Sequence, residues 1–223
     1  LDAGCGAGGM VAAAARAGQP VTGTDIALRW LVIAQKRLEE EGFDAELVCA
    51  DVAAPPFPDA AFGRIAATDL FEHLPDPAEG ARSITRLLTP GGRLYATGAN
   101  RFTLATYPPA GLWGVGFLPT RFRQRYVSAR RGIDTLRFLA MQSPATLARL
   151  LVAAGLEDIR LAPMTVSADR GHSLGPAKRL ALWLYRRLCG TAPTRALLLW
   201  AGPIFEITAR RPDGPSPSER TSS

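Results

Sequence analysis

The chain has 223 residues, 47% apolar and 21% charged, which excludes a wholly disordered or collagen-like polypeptide and leaves room for one substantial α/β core. No run approaches the roughly 18 apolar residues of a membrane span and nothing at the start resembles a signal peptide; three distant cysteines (Cys5, Cys49, Cys189) argue against a disulfide framework and for a reducing, cytoplasmic setting. The net charge of +6 is uneven: residues 1–100 carry 13 acidic and 8 basic side chains, residues 101–223 carry 7 and 18, so the first half is expected to hold a cofactor and the second to face solvent or an anion.

The sequence opens on an apolar-acidic-glycine turn, LDAGCGAGG. Such a turn follows a buried strand, so a truncated first strand is expected, in a chain read as a fragment. Gly9–Gly18 is an alanine-rich helix closed by glycine, and Pro20–Ile26 a short strand ending near Asp25. Over residues 27–42, Leu28, Leu31, Val32, Gln35 and Leu38 recur at helical spacing and are expected to form one buried face, with Gly42 as the stop. A strand near Ala45–Ala50, a proline-rich loop, a strand near Arg64–Thr68, a helix from Pro77 to Leu88, a TPGG turn and a strand over Arg93–Gly98 follow. This alternation predicts an α/β fold: a doubly wound, mostly parallel, seven-stranded type of sheet.

Residues 101–141 break the rhythm with prolines, glycines and aromatics, and are expected to form a cap over the substrate. The rhythm resumes with a helix capped by Ser143, with Pro144 at its first position and Gly155 at its C-cap, then a strand over Leu156–Ala162. One or two helices fill residues 176–200, and Ile204–Arg210 is a last, antiparallel strand. One domain over 1–210 with a disordered tail over 211–223 is expected. In the first of those helices Leu180, Trp183, Leu184 and Leu188 share a face beside Lys178, Arg179, Arg186 and Arg187. The stripe is expected to cover the sheet edge, with peripheral membrane contact as the alternative.

Gly4, Gly6 and Gly8 after Asp2 let the backbone approach a ligand closely, and Asp25, about 20 residues on, is placed for a ribose diol. A dinucleotide and S-adenosylmethionine compete for such a site. Asp2 favours the second, because a carboxylate there suits a cationic amine. So does Asp51, which follows the next strand where an adenine amino group would lie, and so does the LTPGGRLYATG turn and strand.

LDAGCGAGG, VTGTDIA, LVCADV, DLFEHLPDP and LLTPGGRLYATGANRF together resemble the successive motifs of class I S-adenosylmethionine-dependent methyltransferases. The resemblance is closest to the bacterial group that includes the ubiquinone-pathway O-methyltransferases. It implies a Rossmann-like sheet and S-adenosylmethionine as cofactor. It also implies Asp2, Gly4, Cys5 and Gly6 around the methionine part, Asp25 on the ribose, Ile26 and Val52 against adenine, and Asp51 on the adenine amino group.

At the reacting end, Asp69, Glu72 and His73 stand at i, i+3 and i+4 and can share one helical face. His73 is the expected general base. The resemblance adds a divalent-metal reading of this face, with Asp69 in place of a glutamate, and a third reading makes it a lining of the cofactor pocket, in which Asp69 is counted. His172 is expected at the surface. Residues 101–131 hold six arginines and no carboxylate, interleaved with Trp113, Phe117, Phe122 and Tyr126, which suits an anionic, aromatic or lipophilic acceptor; no nucleic-acid motif accompanies the charge. The expected activity is methyl transfer to a small molecule, on oxygen. An NAD(P)-linked oxidoreductase, for which no Tyr-x-x-x-Lys pair exists, and a non-catalytic cofactor-binding domain remain as alternatives.

Overall fold

A computed structural model describes residues 1–132, 134, 136, 139–164 and 175–214, without the side chains of residues 177, 178 and 181. The expected surface position of His172, the Lys178 flank of the basic stripe and residues 215–223 of the expected tail therefore lie outside the described residues. β1 (Asp2–Ala3) leads through the glycine turn into α1 (Gly9–Arg16), followed by β2 (Thr22–Asp25), α2 (Leu28–Glu41) and β3 (Glu46–Cys49). After the proline-rich loop come β4 (Phe62–Thr68), a single 3₁₀ turn (Phe71–His73), α3 (Pro77–Leu87) and β5 (Leu88–Ala99). The cap contributes β6 (Thr106–Tyr107), β7 (Leu112–Trp113) and α4 (Thr120–Arg131). Then α5 (Pro144–Ala153), β8 (Glu157–Pro163), α6 (Pro176–Cys189), α7 (Ala192–Ala201) and β9 (Ile204–Arg210) complete the domain.

Seven strands form one sheet in the order β3-β2-β1-β4-β5-β9-β8. The pairs from β3 to β5 are parallel, and β9 runs antiparallel to both β5 and β8. This is the doubly wound, mostly parallel sheet with an antiparallel last strand that the alternation predicts. The winding proceeds outward from β1 to β3 and restarts with β4 on the other side of β1. The order therefore reverses between β1 and β4, and the crevice beyond the carboxyl ends of these strands is where ligands bind in such sheets.

Local chemistry explains most boundaries. Asp76 accepts from the N–H groups of Ala78 and Glu79 at 2.9 and 3.1 Å and starts α3, with Pro77 at its first position. Ser143 does the same for Thr146 at 3.2 Å at the head of α5, whose C-cap is Ala154, one residue before the expected Gly155. A main core joins Ile65, Ile84, Leu94, Leu147, Leu151 and Phe205, and a second joins Val11, Ala12, Leu31 and Leu38 between α1 and α2.

Three expectations are corrected. The buried face of α2 is Leu31, Ala34 and Leu38, while Leu28 and Val32 stand 63% and 49% exposed, because α1 approaches from one side only. TPGG is not a separate turn; it lies inside β5 where pairing jumps from Phe62–Leu88 to Arg64–Arg93, and Arg211 N donates to Gly92 O at 2.8 Å, so pairing runs past residue 210. The stripe of α6 is not buried: Leu180, Trp183, Leu184 and Leu188 all face outward.

Candidate active site

The glycine turn is held against the end of β2. Gly4 N and Cys5 N both donate to Thr24 O at 2.8 and 2.9 Å, and Gly6 N donates to Asp25 Oδ2 at 2.9 Å. Gly4 and Gly8 both take φ of 72°, the left-handed region that favours glycine, and both are crowded. A Cβ on Gly4 would stand 2.8 Å from Leu70 Cδ1, and one on Gly8 2.7 Å from Ala34 Cβ. Gly6, at φ 50°, has nothing within 4 Å of that direction, so the backbone is bare where it lines the adjoining cavity.

That cavity, about 400 Å³, lies at the carboxyl ends of β1 to β4. It gathers Gly4, Gly6, Asp25, Ile26, Asp51, Val52, Asp69 and His73 of the residues singled out from sequence. The Asp25 carboxylate spans two turns, accepting from Gly6 N and, through Oδ1, from Ala27 N at 2.8 Å. Each oxygen retains lone-pair capacity for a hydroxyl in the cavity. Asp51 Oδ1 accepts from Ala53 N at 2.9 Å, which fixes the turn after β3 and leaves the carboxylate exposed. Ile26 is 70% exposed at the rim, Val52 is buried, and Trp30 adds an aromatic wall that the sequence reading missed because it sits on the partly exposed side of α2.

Two residues stand differently from expectation. Cys5 does not line the cavity: its side chain packs with Val11 and Leu31, and burial pushes the thiol up to about 12, helped by Asp2 and Asp25. Only its backbone serves the turn. Asp2 lies behind the turn, 2% exposed, with Oδ1 buried and unpartnered among the described residues, and burial lifts its carboxyl to about 6. A buried carboxylate with an unpartnered oxygen is costly in isolation and favours a cation nearby.

A second cavity of about 560 Å³ adjoins the first, sharing Asp69 and His73 with it. Glu72, Ala99, Pro108, Pro109, Leu139 and Ile204 complete its lining, so β5, the cap and the start of β9 all contribute. Asp69 takes φ 51°, uncommon for a non-glycine residue; its N–H donates to Thr97 O at 3.2 Å and its Oδ1 accepts from the Thr97 hydroxyl at 3.1 Å. The segment after it is one 3₁₀ turn rather than an α-helix, so Asp69, Glu72 and His73 do not share a helical face. Among the described residues, no group of three His, Cys, Asp or Glu side chains is placed to hold an ion together.

Glu72 is the residue whose place the sequence reading misjudged. It is 4% exposed, its Oε2 accepts from Ala99 N at 3.2 Å, and Ala140 N from the cap donates to its carbonyl at 2.7 Å. Burial lifts its carboxyl to about 7, partly offset by the Ala99 bond. Beside it Tyr107 is buried, its hydroxyl without a partner among the described residues, and burial together with Glu72 pushes that phenol upward. His73, by contrast, is exposed. The pairing of a buried carboxyl with an apolar wall depends on the cap, which no local pattern announces.

Among the described residues, the first cavity has three carboxylates in its lining and no lysine or arginine. Such a lining repels a pyrophosphate and accepts a cation carrying hydroxyl and amino donors, which fits S-adenosylmethionine and not a dinucleotide.

Residues 1–96 match the family described as Methyltransferase domain. Over 167 residues the chain is 32% identical to the ubiquinone biosynthesis O-methyltransferase of Thiobacillus denitrificans, covering 74% of this chain and 67% of that one. Over 176 residues it is 28% identical to the enzyme of the same description from Idiomarina loihiensis, covering 78% and 68%. A solved Thermotoga maritima protein, described as a possible histamine N-methyltransferase, shares the fold at a TM-score of 0.59 and 15% identity, covering 94% of this chain and 80% of that one. The chain belongs to the class I S-adenosylmethionine-dependent methyltransferases, with S-adenosylmethionine as its methyl donor.

Proposed function

We propose that the chain methylates a hydroxyl oxygen of a small, largely apolar acceptor in the second cavity, and that Glu72 takes the hydroxyl proton. The observation that carries this reading is Glu72 itself: a carboxyl with its affinity for protons raised to near neutrality, buried in an apolar cavity that meets the cofactor cavity at Asp69 and His73. A base poised near the working pH is suited to removing a proton from a weakly acidic hydroxyl. The O-methyltransferase description of the relatives supports oxygen as the acceptor atom.

S-adenosylmethionine, when bound, supplies an electrophilic methyl on a sulfonium. The remaining work falls to the chain: to align the acceptor and exclude water. Gly4 and Gly6 would hold the methionine part, with the Asp2 carboxyl behind them, Asp25 the ribose hydroxyls, Asp51 the adenine amino group, and Ile26 and Val52 the adenine faces. Asp69, fixed by Thr97, would stand at the junction of the two cavities. We take residues 101–141 as the acceptor cap, since Pro108, Pro109 and Leu139 wall that cavity. His73 is a lining residue in this reading, not the base.

The test is methyl transfer from labelled donor to a panel of phenols and catechols against amines and thiols of similar size. Glu72→Gln is expected to lower kcat by roughly 10²- to 10⁴-fold at little change in S-adenosylhomocysteine affinity, and His73→Ala to cost far less. Turnover confined to amines, or an unimpaired Glu72→Gln enzyme, defeats the reading.

A further inference from the structure

Between β8 and β9 the described residues leave an apolar face uncovered. α6 has two sides. Leu182, Tyr185 and Cys189 are half-buried, and the Tyr185 hydroxyl donates to Met164 O at 2.7 Å. On the opposite side Leu180, Trp183, Leu184 and Leu188 fall at helical spacing and stand 59%, 55%, 48% and 44% exposed. α7 adds Leu197 at 63% and Trp200 at 53%. A helix on a globular domain ordinarily turns its apolar stripe to the core. Here the stripe faces away from it.

The charge on the same pair says what fits there. From Pro176 to Phe205 the sequence has five basic residues and no aspartate or glutamate. Arg186, Arg187 and Arg195 are exposed, and the Arg187 guanidinium lies 5.6 Å from the centre of the Trp183 ring. Leucine and tryptophan on a helix flanked by arginine match the boundary between lipid headgroups and acyl chains. No helix among the described residues is long and apolar enough to cross a membrane, so the match is to a surface and not to a span. A second copy of the chain fits less well. A two-fold contact through this face would bring Arg186 and Arg187 of both copies together with no carboxylate of the helical pair to neutralise them.

We propose that α6 and α7 dock on the surface of a bilayer that carries anionic lipid. The end of α7 is tied to the cap: Asn100 Nδ2 donates to Trp200 O at 2.9 Å and to Gly202 O at 3.1 Å, and Leu104 N donates to Ala201 O at 2.8 Å. Docking therefore sets the cap beside the lipid. The proposal stands apart from the acceptor reading, because its readout is binding and not turnover.

The test is flotation of the whole chain with phosphatidylcholine vesicles, with and without phosphatidylglycerol, at about 50 mM and about 500 mM salt. Binding to the anionic vesicles alone, released by high salt, is expected. Both Arg186→Glu/Arg187→Glu and Trp183→Ser/Leu184→Ser should weaken it at least about tenfold while keeping the thermal midpoint and S-adenosylhomocysteine affinity of the parent. Should a variant unfold, the blue shift of tryptophan emission on anionic vesicles, diminished by Trp183→Phe, reads the same contact. No flotation at low salt overturns the proposal. So does undiminished binding by both double variants, which places the contact elsewhere. A concentration-dependent dimer abolished by Trp183→Ser/Leu184→Ser, without vesicle binding, assigns the face to a second copy.

Discussion

Burial at Glu72 has a consequence for stability as well as for chemistry. The folded chain holds this proton up to about pH 7, whereas an ordinary glutamate releases it near 4.5. Between those values the native state binds more protons than the unfolded one, so stability is full below about 4.5 and falls as pH rises through 7. The difference amounts to about 3 kcal/mol at most. Urea midpoints at acidic and mildly alkaline pH should therefore diverge in the parent, and Glu72→Gln should flatten the slope. Asp2, raised to about 6, titrates in the same sense, so some slope remains. At Asp25 the reading is tested by calorimetry: Asp25→Ala should weaken S-adenosylhomocysteine binding by about 1.5–3 kcal/mol. It should also lower the stability of the ligand-free chain, since Gly6 N and Ala27 N lose their acceptor. Unchanged affinity removes Asp25 from the site. The position of Asp25 is legible in the sequence because the interval from a glycine turn to the end of the next strand is set by one helix and two short loops. The Cys5 side chain was not legible: it points to α1 and α2, and only the packing of those helices decides that.

Among the elements, the β1–α1 turn separates strain from crowding. Gly8→Ala combines a left-handed backbone with a contact on Ala34 of α2, and should cost about 2–4 kcal/mol in urea unfolding. Gly6→Ala meets open space, so only the backbone term of about 1–2 kcal/mol applies, and its larger effect should be on S-adenosylhomocysteine affinity. Equal losses of stability in the two variants would contradict the difference in packing. Helices and strands themselves were well marked. Ser143 before Pro144 announces a helix start and caps it as the pattern requires, and the structure shows Asp76 doing the same before Pro77. The segment Asp69–His73 misled for a local reason: spacing of i, i+3, i+4 presumes 3.6 residues per turn, whereas only Phe71–His73 form a turn, of 3₁₀ type, and Asp69 at φ 51° stands outside it.

For the whole molecule, Asn100 is the joint between sheet, cap and last helix. It is fully buried; its amide donates to the carbonyls of Trp200 and Gly202, and its Oδ1 accepts from Phe102 N at 3.1 Å. Asn100→Ala orphans those groups and should cost about 1–3 kcal/mol, with hydrogen exchange rising first in Phe102. The uneven charge also has a spatial counterpart: every described residue lining the first cavity comes from the acidic first half, whereas the cap and the α6–α7 pair come from the basic second half.

The sequence by itself determined the alternation of strands and helices, the Ser143 cap, the glycine turn and the spacing of Asp2, Asp25 and Asp51, because each follows from a pattern within a few residues or from a fixed crossover length. The tertiary structure alone decided that Leu180, Trp183, Leu184 and Leu188 face outward, that Glu72 and not His73 is buried, and that Tyr107 comes to lie beside it. Periodicity identifies an apolar stripe but not what covers it. Burial belongs to the partner element, and the partners of α6 and of Glu72 are set by the sheet order and by a cap folded back from residues far along the chain.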